Sequence, residues 1–173
     1  MSTTVSVRIA GSLSESEVDQ LAALLVAIVD AGASVGYLPP LDIETARSYW
    51  RGIVQPDIVL FLAEIDGQIA GTVQLECARK ANARHRAEVN QLLVAPDFQR
   101  RGVGRVLMEA LESHARSIGR TLLHLDSREG DRSNDFYRSL GWTEAGTIPI
   151  WAMSAEGKLE GTTFYYKVLE EGR

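Results

Sequence analysis

The sequence predicts one mixed α/β (α+β) domain, in which a mostly antiparallel sheet of about six to seven strands is flanked by about four helices. Residues 58–65 and 68–78 have the composition of strands, and Asp66-Gly67 between them is typical of a tight β-hairpin. Residues 87–126 show a strand–helix–strand pattern, which pairs its strands in parallel through a right-handed crossover. Because hairpin strands are antiparallel, the two patterns together predict a mixed sheet.

The other elements follow from hydrophobic periodicity and from helix caps. Ser14 and Glu17 form a capping box that begins a first helix, and Gly32 ends it. Asp42 is placed to cap a second helix, which Pro56 stops. In chain order the sequence predicts strand 4–9, helix 14–31, helix 42–54, strands 58–65, 68–78 and 87–94, helix 102–118, strand 122–126, helix 134–140, and strands 143–153 and 162–169.

Length and composition restrict the class of protein. The chain has 173 residues and a mass of 19.0 kDa, so residues 1–173 are expected to form a single domain. The formal charge of −5 disfavours the wrapping of nucleic acid, and Cys77 as the only cysteine excludes an internal disulfide. No apolar stretch has the length of a membrane span, and the N-terminal residues lack the pattern of a signal segment. We therefore expect a cytoplasmic protein that uses neither a membrane nor a metal.

A glycine-containing loop between a strand and a helix carries the strongest chemical signal. Backbone N–H groups at a helix start bind phosphate oxygens, and glycines let an anion approach them. Leu107 replaces the third glycine of a dinucleotide motif and the Lys of a P-loop is missing, so both motifs are excluded. The alternative is a tight turn whose arginines serve solubility. The candidate phosphate-binding residues are Gln99, Arg100, Arg101, Gly102, Val103, Gly104 and Arg105.

A second group of residues follows the loop at the spacing of a known family. After the loop helix come a strand, an Asn-x-Phe-Tyr helix and a Gly-Trp pair, and over residues 87–142 this order resembles the GNAT acetyltransferases. The chain is most similar to the tabtoxin resistance acetyltransferases of that family, through residues 32–37, 86–89, 122–126 and 164–167. The family resemblance is carried by Gln99, Gly102, Gly104, Asn134, Phe136, Tyr137, Gly141 and Trp142.

The resemblance implies a GNAT fold in which two parallel strands are splayed and acetyl-CoA lies between them. The pantetheine arm is then expected beside the backbone of Leu92, Leu93 and Val94, with the Leu92 amide as the oxyanion donor. Residues 99–105 are expected to hold the pyrophosphate.

The predicted short helix supplies two further residues to this expectation. The resemblance implies that Asn134 hydrogen-bonds the pantetheine arm and that Tyr137 protonates the leaving thiolate. Because Phe136 and Leu140 are four positions apart, we expect them to anchor the helix in the core. That arrangement leaves Tyr137 facing the cofactor cleft.

An attacking amine must lose a proton, so a general base is expected near it. Glu88 is the first candidate, because two-residue alternation places it on the same strand face as Leu92 and Val94. The alternative for Glu88 is an ion pair at a strand edge with Arg84 or Arg86.

Two further candidates for the base lie on the neighbouring strand. Asp126 ends that strand, and both Asp126 and Glu88 match acidic residues of the tabtoxin resistance acetyltransferases. The alternative for Asp126 is a hydrogen bond to amides at the loop entry. His124 is the third candidate because its ordinary pKa lies near neutrality, although a packed core histidine is the simpler interpretation.

Most aromatic residues are expected in the core, as is Cys77. Tyr37 and Trp151 fall at segment ends, where a substrate pocket can use them, but the core is favoured for them as well. The aromatic residues expected in the core without this alternative are Trp50, Trp142, Tyr165 and Tyr166.

The sequence therefore predicts an enzyme that transfers acetyl from acetyl-CoA to a primary amine of a small molecule, such as an amino-acid-like antibiotic or toxin. Direct attack in a ternary complex is expected, since no credible acyl-accepting cysteine is present. One alternative is acetylation of a protein N-terminus or lysine, and another is a non-catalytic sensor of acyl-CoA. The resemblance also implies a homodimer, because the closing strands often mediate pairing in this family.

Overall fold

The helices pack on one seven-stranded sheet in the computed structural model, which describes residues 4–169. The strands are β1 (Ser6–Ala10), β2 (Ile58–Ile65), β3 (Gln68–Cys77), β4 (Arg86–Val94), β5 (Leu122–Arg128), β6 (Thr143–Met153) and β7 (Leu159–Val168). The helices are α1 (Glu15–Asp30), α2 (Ile43–Arg51), α3 (Val103–Ser117) and α4 (Arg132–Ser139), with short 3₁₀ turns at Ala81–Ala83 and Pro96–Phe98.

The strands lie in the order β1-β2-β3-β4-β5-β7-β6, and every neighbouring pair is antiparallel except β4 and β5. The predicted hairpin is confirmed, because Ile65 pairs with Gln68 across a two-residue turn. Asp66 and Gly67 in that turn have φ angles of 50° and 77°, the left-handed conformation that such a turn requires. The mixed α/β class predicted from the sequence is therefore confirmed.

Local capping sets most helix boundaries. The predicted capping box of α1 is present, with reciprocal hydrogen bonds between Ser14 and Glu17. α4 begins two residues earlier than predicted, because the Asp131 carboxylate caps it by accepting from the N–H of Ser133 at 2.9 Å. β7 begins three residues earlier than predicted, since a hydrogen bond between Ser154 and Lys158 closes the turn at the base of the β6–β7 hairpin.

The sheet buries a hydrophobic core on each of its faces. α3 and α4 cover one face, called the α3 face, where Leu107 and Tyr137 are buried. α1 and α2 cover part of the other, called the α1 face, where Leu21 and Trp50 are buried. Among the described residues, this second core takes its strand residues from β1 to β4 only. The α1 face of β5 to β7 therefore has no helix packed over most of it.

Two aromatic residues expected in the core are exposed. Trp50, Trp142 and Tyr165 are at most 4% exposed, as predicted. Tyr166 is 38% exposed and Trp151 is 53% exposed, so the prediction for these two residues is wrong. Tyr166 alternates with the buried Tyr165 along β7 and so lies on the uncovered part of the α1 face.

β4 and β5 are paired only where they begin. Residues 86–88 lie opposite residues 122–124 in parallel register, and the register ends there. β4 continues to Val94 and β5 to Arg128 without pairing to each other, so their C-terminal halves leave a gap. The predicted splayed pair is present.

A β-bulge interrupts β4 beside this gap. Thr72 lies opposite Leu93 and Gln74 lies opposite Asn90, so β4 contains one residue more than β3 between these pairs. Gln91 in the bulge has a φ of 52°, a conformation uncommon for a residue other than glycine. The extra residue reverses the alternation of side chains between the two faces.

Gly71 allows β3 to approach β4 next to the bulge. A Cβ atom at this position would lie 2.7 Å from the carbonyl oxygen of Leu93 and 3.1 Å from the side chain of Val103. Both distances are shorter than ordinary contacts, so glycine is required here for close approach.

A nearly buried ion pair ties α3 to the end of α4. The ammonium of Lys167 on β7 donates to both carboxylate oxygens of Glu112 on α3, at 2.8 and 2.9 Å. The same ammonium donates to the carbonyl oxygen of Leu140 at 2.8 Å. Lys167 therefore fixes both helices of the α3 face relative to β7.

We expect Lys167→Met to lower the free energy of unfolding by about 3 kcal/mol, because the nearly buried Glu112 carboxylate keeps only its longer contact with Arg116, at 3.7 Å. The double variant Glu112→Leu/Lys167→Met removes both charges and is expected to regain much of this loss. Urea unfolding of the three proteins measures both changes. A double variant that is less stable than Lys167→Met would contradict the interpretation.

Candidate active site

The loop between β4 and α3 presents unpaired backbone N–H groups. Gly102 is the N-cap of α3, has a φ of 81° and provides no side-chain cap. The first helical hydrogen bond runs from the N–H of Val106 to the oxygen of Gly102 at 3.1 Å, so the N–H groups of residues 103–105 have no partner within the helix. Gln99 closes the loop by donating to the oxygen of Val94 at 3.3 Å. The exposed cationic side chains around this helix start are Arg100, Arg101 and Arg105.

The two loop glycines have different functions. A Cβ atom on Gly102 would project into open space, where an anion can approach the helix start. A Cβ atom on Gly104 would instead lie 3.3 Å from the ring of Phe136 on α4. Gly104 is therefore required at least partly for packing between α3 and α4, which the sequence did not indicate.

Backbone groups of β4 line the gap between the splayed strands. The N–H of Ala95 donates to the oxygen of Ala70 at 2.9 Å, and backbone groups alternate in direction along an antiparallel strand. Leu93 and Ala95 therefore turn their backbone toward β3, whereas Leu92 and Val94 turn theirs toward the gap. The predicted oxyanion donor, the Leu92 N–H, is among the groups directed into the gap.

Three titratable residues form a row across the strands on the α1 face. This polar row consists of Glu76 on β3, Glu88 on β4 and His124 on β5, at directly opposed positions. Burial, followed by the charges of Glu76 and Asp126, raises the pKa of Glu88. Burial, followed by the charge of Arg86, lowers the pKa of His124, whose Nε2 lies 3.5 Å from the Arg86 guanidinium. The pKa values of Glu88 and His124 are thus moved toward one another.

The prediction that Glu88 shares a strand face with Leu92 and Val94 is wrong. Leu92 and Val94 pack against the core of the α3 face, whereas Glu88 lies on the α1 face. The bulge between them is the physical reason, since its extra residue reverses the alternation. Within residues 4–169 Glu88 forms no ion pair, so it is not paired with Arg84 or Arg86.

Asp126 lies on the same face, two residues beyond His124 and opposite Phe164 of β7. Desolvation by the surrounding protein raises the pKa of Asp126, and the charge of His124 opposes this effect. Among the described residues its carboxylate makes no ion pair. The structure therefore brings all three candidate bases onto one sheet face.

The packing of α4 differs from the prediction. Asn134 and Tyr137 are the buried residues of this helix, whereas Phe136 and Leu140 are only partly buried at the border of the core. The helix has two turns, and the hydroxyl of Tyr165 binds Asn134 at 2.8 Å, which turns the Asn134–Tyr137 side toward the sheet. The prediction that Phe136 and Leu140 anchor the helix instead of Tyr137 is therefore wrong.

The ring of Tyr137 is buried, but its hydroxyl makes no hydrogen bond within the described part of the chain. The ring packs edge-on against Trp142, with centroids 6.2 Å apart. Burial, followed by the negative charges of Asp126 and Asp131, raises the pKa of Tyr137. The phenol therefore stays protonated at neutral pH and is suited to donate a proton rather than to accept one.

Asn134 holds the start of α4 in place. Its side-chain N–H₂ donates to the carbonyl oxygens of Arg128 and Asp131, both at 2.8 Å, and its side-chain oxygen accepts from Tyr165. Both hydrogens of the amide are thus engaged by the protein. The predicted contact with the pantetheine arm remains a prediction, and a second lone pair of the oxygen is left to make it.

A cleft of about 400 Å³ opens over the polar row. Besides Glu88 and His124 it is lined by Glu76 and by an ion pair between Asp57 and Arg79. Sequence reasoning missed these last three residues. Glu76 could have been found from the strand register. The pairing of β2 with β3 and of β3 with β4 places Glu76 directly opposite Glu88.

The described residues contain no group of three or more His, Cys, Asp or Glu side chains placed to hold a metal ion. No helix within residues 4–169 is long and apolar enough to cross a membrane. Cys77 is buried as predicted, and burial raises the pKa of its thiol.

Comparison with known proteins identifies the family. The sequence profile of the Acetyltransferase (GNAT) family matches residues 28–142. An uncharacterized N-acetyltransferase from the hisH-hisA intergenic region of Azospirillum brasilense is 37% identical over 120 residues, which are 68% of this chain and 71% of that protein. The chain therefore belongs to the GNAT family of acetyltransferases.

Solved structures share its fold. An N-acetyltransferase from Staphylococcus aureus Mu50 superimposes with a TM-score of 0.82 at 15% identity, over 97% of this chain and 100% of that one. The protein yncA of Salmonella typhimurium, solved with its cofactor acetyl-CoA, gives a TM-score of 0.78 at 19% identity, over 97% of this chain and 95% of that one. The GNAT fold implied by the sequence motifs is confirmed.

Replacing Glu88 by Gln tests the burial of its carboxylate. Because the folded-state pKa of Glu88 is raised, its proton stabilises the folded chain fully below the ordinary pKa of Glu, and this stability is lost as the pH rises through the raised value. Above the raised pKa the parent therefore carries a half-buried charge that Glu88→Gln lacks. We expect the variant to melt at a higher temperature at about pH 7 and to show no such gain at about pH 4.

Thermal unfolding at both pH values measures this difference. Glu109→Gln, an exposed substitution on α3, serves as the control and is expected to change neither melting temperature. A Glu88→Gln protein that melts below the parent at pH 7 would show that the carboxylate is stabilised by its surroundings.

Proposed function

We propose that this acetyltransferase transfers acetyl from acetyl-CoA to a primary amine of a small molecule, by direct attack in a ternary complex. The observation that carries the proposal is the position of Glu88. It is a half-buried carboxylate without an ion pair among the described residues, and it stands where β4 and β5 begin to separate. A base is thus placed at the edge of the gap in which the donor is expected.

The residues around the gap fit acetyl-CoA. The uncapped start of α3 and the open space beside Gly102 suit a pyrophosphate, with arginines at hand for charge. The unpaired lengths of β4 and β5 leave room for the pantetheine arm beside Leu92, Leu93 and Val94. Acetyl-CoA would supply the activated acetyl group. The complex of yncA with acetyl-CoA supports this assignment through the shared fold.

Glu88 is proposed as the general base. A raised pKa makes the ionised carboxylate of Glu88 a stronger proton acceptor than an exposed glutamate. Asp126 is the second candidate because it occupies the same face, and its raised pKa suits the same role. His124 is the third candidate and, through its lowered pKa, is available as a neutral acceptor.

Tyr137 is proposed as the proton donor to the leaving thiolate. Its hydroxyl has no protein partner among the described residues, and its raised pKa keeps it protonated. The carbonyl oxygen of the donor would be stabilised by the N–H of Leu92, which turns toward the same gap. Cys77 is buried and has a raised thiol pKa, which disfavours an acyl-enzyme route.

The acceptor is proposed to be a small amine of amino-acid-like or antibiotic type. The cleft over the polar row has the size of a small-molecule site, and its carboxylates, which outnumber its guanidinium groups, favour a cation. Arg86 at its edge can receive a substrate carboxylate. The similarity to tabtoxin resistance acetyltransferases seen in the sequence motifs supports the same class.

We also propose a homodimer formed through the β6 edge of the sheet. β6 has a neighbour on one side only, and its hairpin exposes apolar side chains at Ile150 (72%), Leu159 (59%) and Met153 (50%). Such a contiguous apolar edge is unusual on a monomer surface.

Thiol release from acetyl-CoA tests the function. The purified chain is offered a library of small primary amines and, separately, peptides with a free N-terminus or a lysine. We expect release with small amines and a loss of most of it in Glu88→Gln. Release with peptides alone would establish the protein-acetylating alternative, and binding of acetyl-CoA without release would establish a sensor.

Gly102→Ala tests the phosphate site. Its Cβ atom would project into the space assigned to the pyrophosphate, and the left-handed backbone would be strained. We expect the Kd for CoA to rise by about tenfold or more in calorimetric titration. Gly119→Ala is the matched control, because Gly119 has a φ of 74°, also faces open space, and lies just beyond the opposite end of α3. Equal weakening in both variants would assign the effect to backbone strain.

Tyr137→Phe separates catalysis from packing. The variant keeps the buried ring and removes a hydroxyl that has no hydrogen bond within the described residues. We expect kcat to fall by about 10- to 100-fold, with little change in the KM for acetyl-CoA and none in Tm. Steady-state kinetics and thermal unfolding measure the three quantities. Full kcat would remove Tyr137 from the mechanism, and a large drop in Tm would show that the hydroxyl is structural.

A further inference from the structure

A second bulge, in β6, changes the direction of Trp151. Ile148 lies opposite Thr162 and Ala152 lies opposite Glu160, so β6 contains two residues more than β7 between these pairs. Ile150 within the bulge has a φ of 50°, which is a strained conformation for a β-branched side chain. Strain of this kind persists only where the surrounding structure holds it, and it often marks a functional position.

The bulge brings Trp151 onto the face of the candidate bases. In continuous register Trp151 would lie opposite Leu159. Leu159 is an even number of positions from the buried Tyr165, so both side chains lie on the α3 face of β7. Instead its ring packs edge-on against Phe164, with centroids 5.2 Å apart. Phe164 lies directly opposite Asp126, on the α1 face. The strained segment thus places an indole on the same face as a candidate catalytic carboxylate, with Phe164 between them.

An apolar strip therefore continues the polar row across the sheet. The strip consists of Trp151, Phe164 and Tyr166, and Tyr166 lies opposite His124 just as Phe164 lies opposite Asp126. Trp151 is 53% exposed and Tyr166 is 38% exposed, so their rings are accessible. On the α1 face, the helices α1 and α2 cover β1 to β4 only, and the strand residues beneath them are buried. The aromatic rings of the strip lie beyond these helices and are therefore exposed.

We propose that the acceptor is a primary amine joined by a short linker to an aromatic or other flat apolar group, which the strip binds. This inference rests on the proposed function and deepens it. Unpaired carboxylates of the polar row and Asp126 attract the ammonium, while an indole and a phenyl ring offer edge and face contacts to a second ring. The charge on one side and the aromatic surface on the other match a molecule with the same two parts.

The strand spacing limits the length of the linker. Neighbouring strands lie about 5 Å apart, so the strip on β7 is about 5 Å from Asp126 and about 10 Å from Glu88. An amine that reaches Asp126 while its ring lies on Phe164 needs a linker of about two or three atoms. Trp151 and Phe164 are then specificity-determining residues, not catalytic ones.

A matched pair of acceptors tests the proposal. Acetylation of 2-phenylethylamine and of ethylamine is compared by kcat/KM in the parent, in Trp151→Ala and in Trp151→Phe. We expect the parent to favour 2-phenylethylamine and Trp151→Ala to lose about tenfold toward it through KM, with ethylamine unchanged. Trp151→Phe is expected to restore most of the preference. Ile118→Ala is the control, since Ile118 is an exposed apolar residue at the C-terminal end of α3, away from the strip.

Each contrary outcome has a separate meaning. Acetylation of ethylamine without preference for the phenyl compound overturns the aromatic subsite and leaves the proposed function standing. Absence of thiol release with every amine overturns both. A parent dimer that becomes monomeric in Trp151→Ala by sedimentation, with the preference unchanged, assigns the strip to a second copy of the chain and also overturns the subsite. Equal losses toward both amines would make Trp151 merely structural.

Discussion

β4 and β5 separate directly after Glu88, and the position of this separation determines where each candidate group lies. Their first three residues hold the strands as neighbours, so Glu88 and His124 stay opposite one another. Beyond that point the backbone groups of Leu92 and Val94 are free of a parallel partner. If the parallel pairing continued along both strands, these backbone groups would form hydrogen bonds to β5, and the gap below α3 would close. One short parallel contact therefore keeps a base and an open backbone adjacent.

Two bulges then distribute side chains between the faces of the sheet. The bulge at Gln91 moves Leu92 and Val94 onto the α3 face while Glu88 stays on the α1 face, and the bulge at Ile150 brings Trp151 to the α1 face. Both contain a residue other than glycine in the left-handed region. The backbone strain at these two bulges thus occurs beside places where chemistry is proposed, as expected when strain is retained for function.

Features that depend on neighbouring residues were predictable from the sequence. The sheet face on which a side chain lies was not, because it depends on how distant strands pair. The capping box at Ser14 and Glu17 and the turn at Asp66-Gly67 depend on neighbouring residues only, and both are present. The site loop was recognised because its glycines and arginines are contiguous. The face of Glu88 was predicted wrongly for a different reason. A bulge depends on the register in which two strands pair, so it is not a property of one strand alone. Gln91 does not have a side chain typical of turns, and the sequence therefore contains no local signal for the bulge.

Gly71 has a consequence for how such a chain can change. It has no functional group and lies on a strand that contributes nothing to the proposed donor site, yet any larger residue there would collide with the carbonyl of Leu93. In a laboratory evolution experiment, acceptor preference can drift through exposed positions such as Trp151, each of which tolerates many replacements. Position 71 has no such freedom. A steep barrier in the mutational landscape of this chain therefore stands at a residue outside the proposed substrate sites.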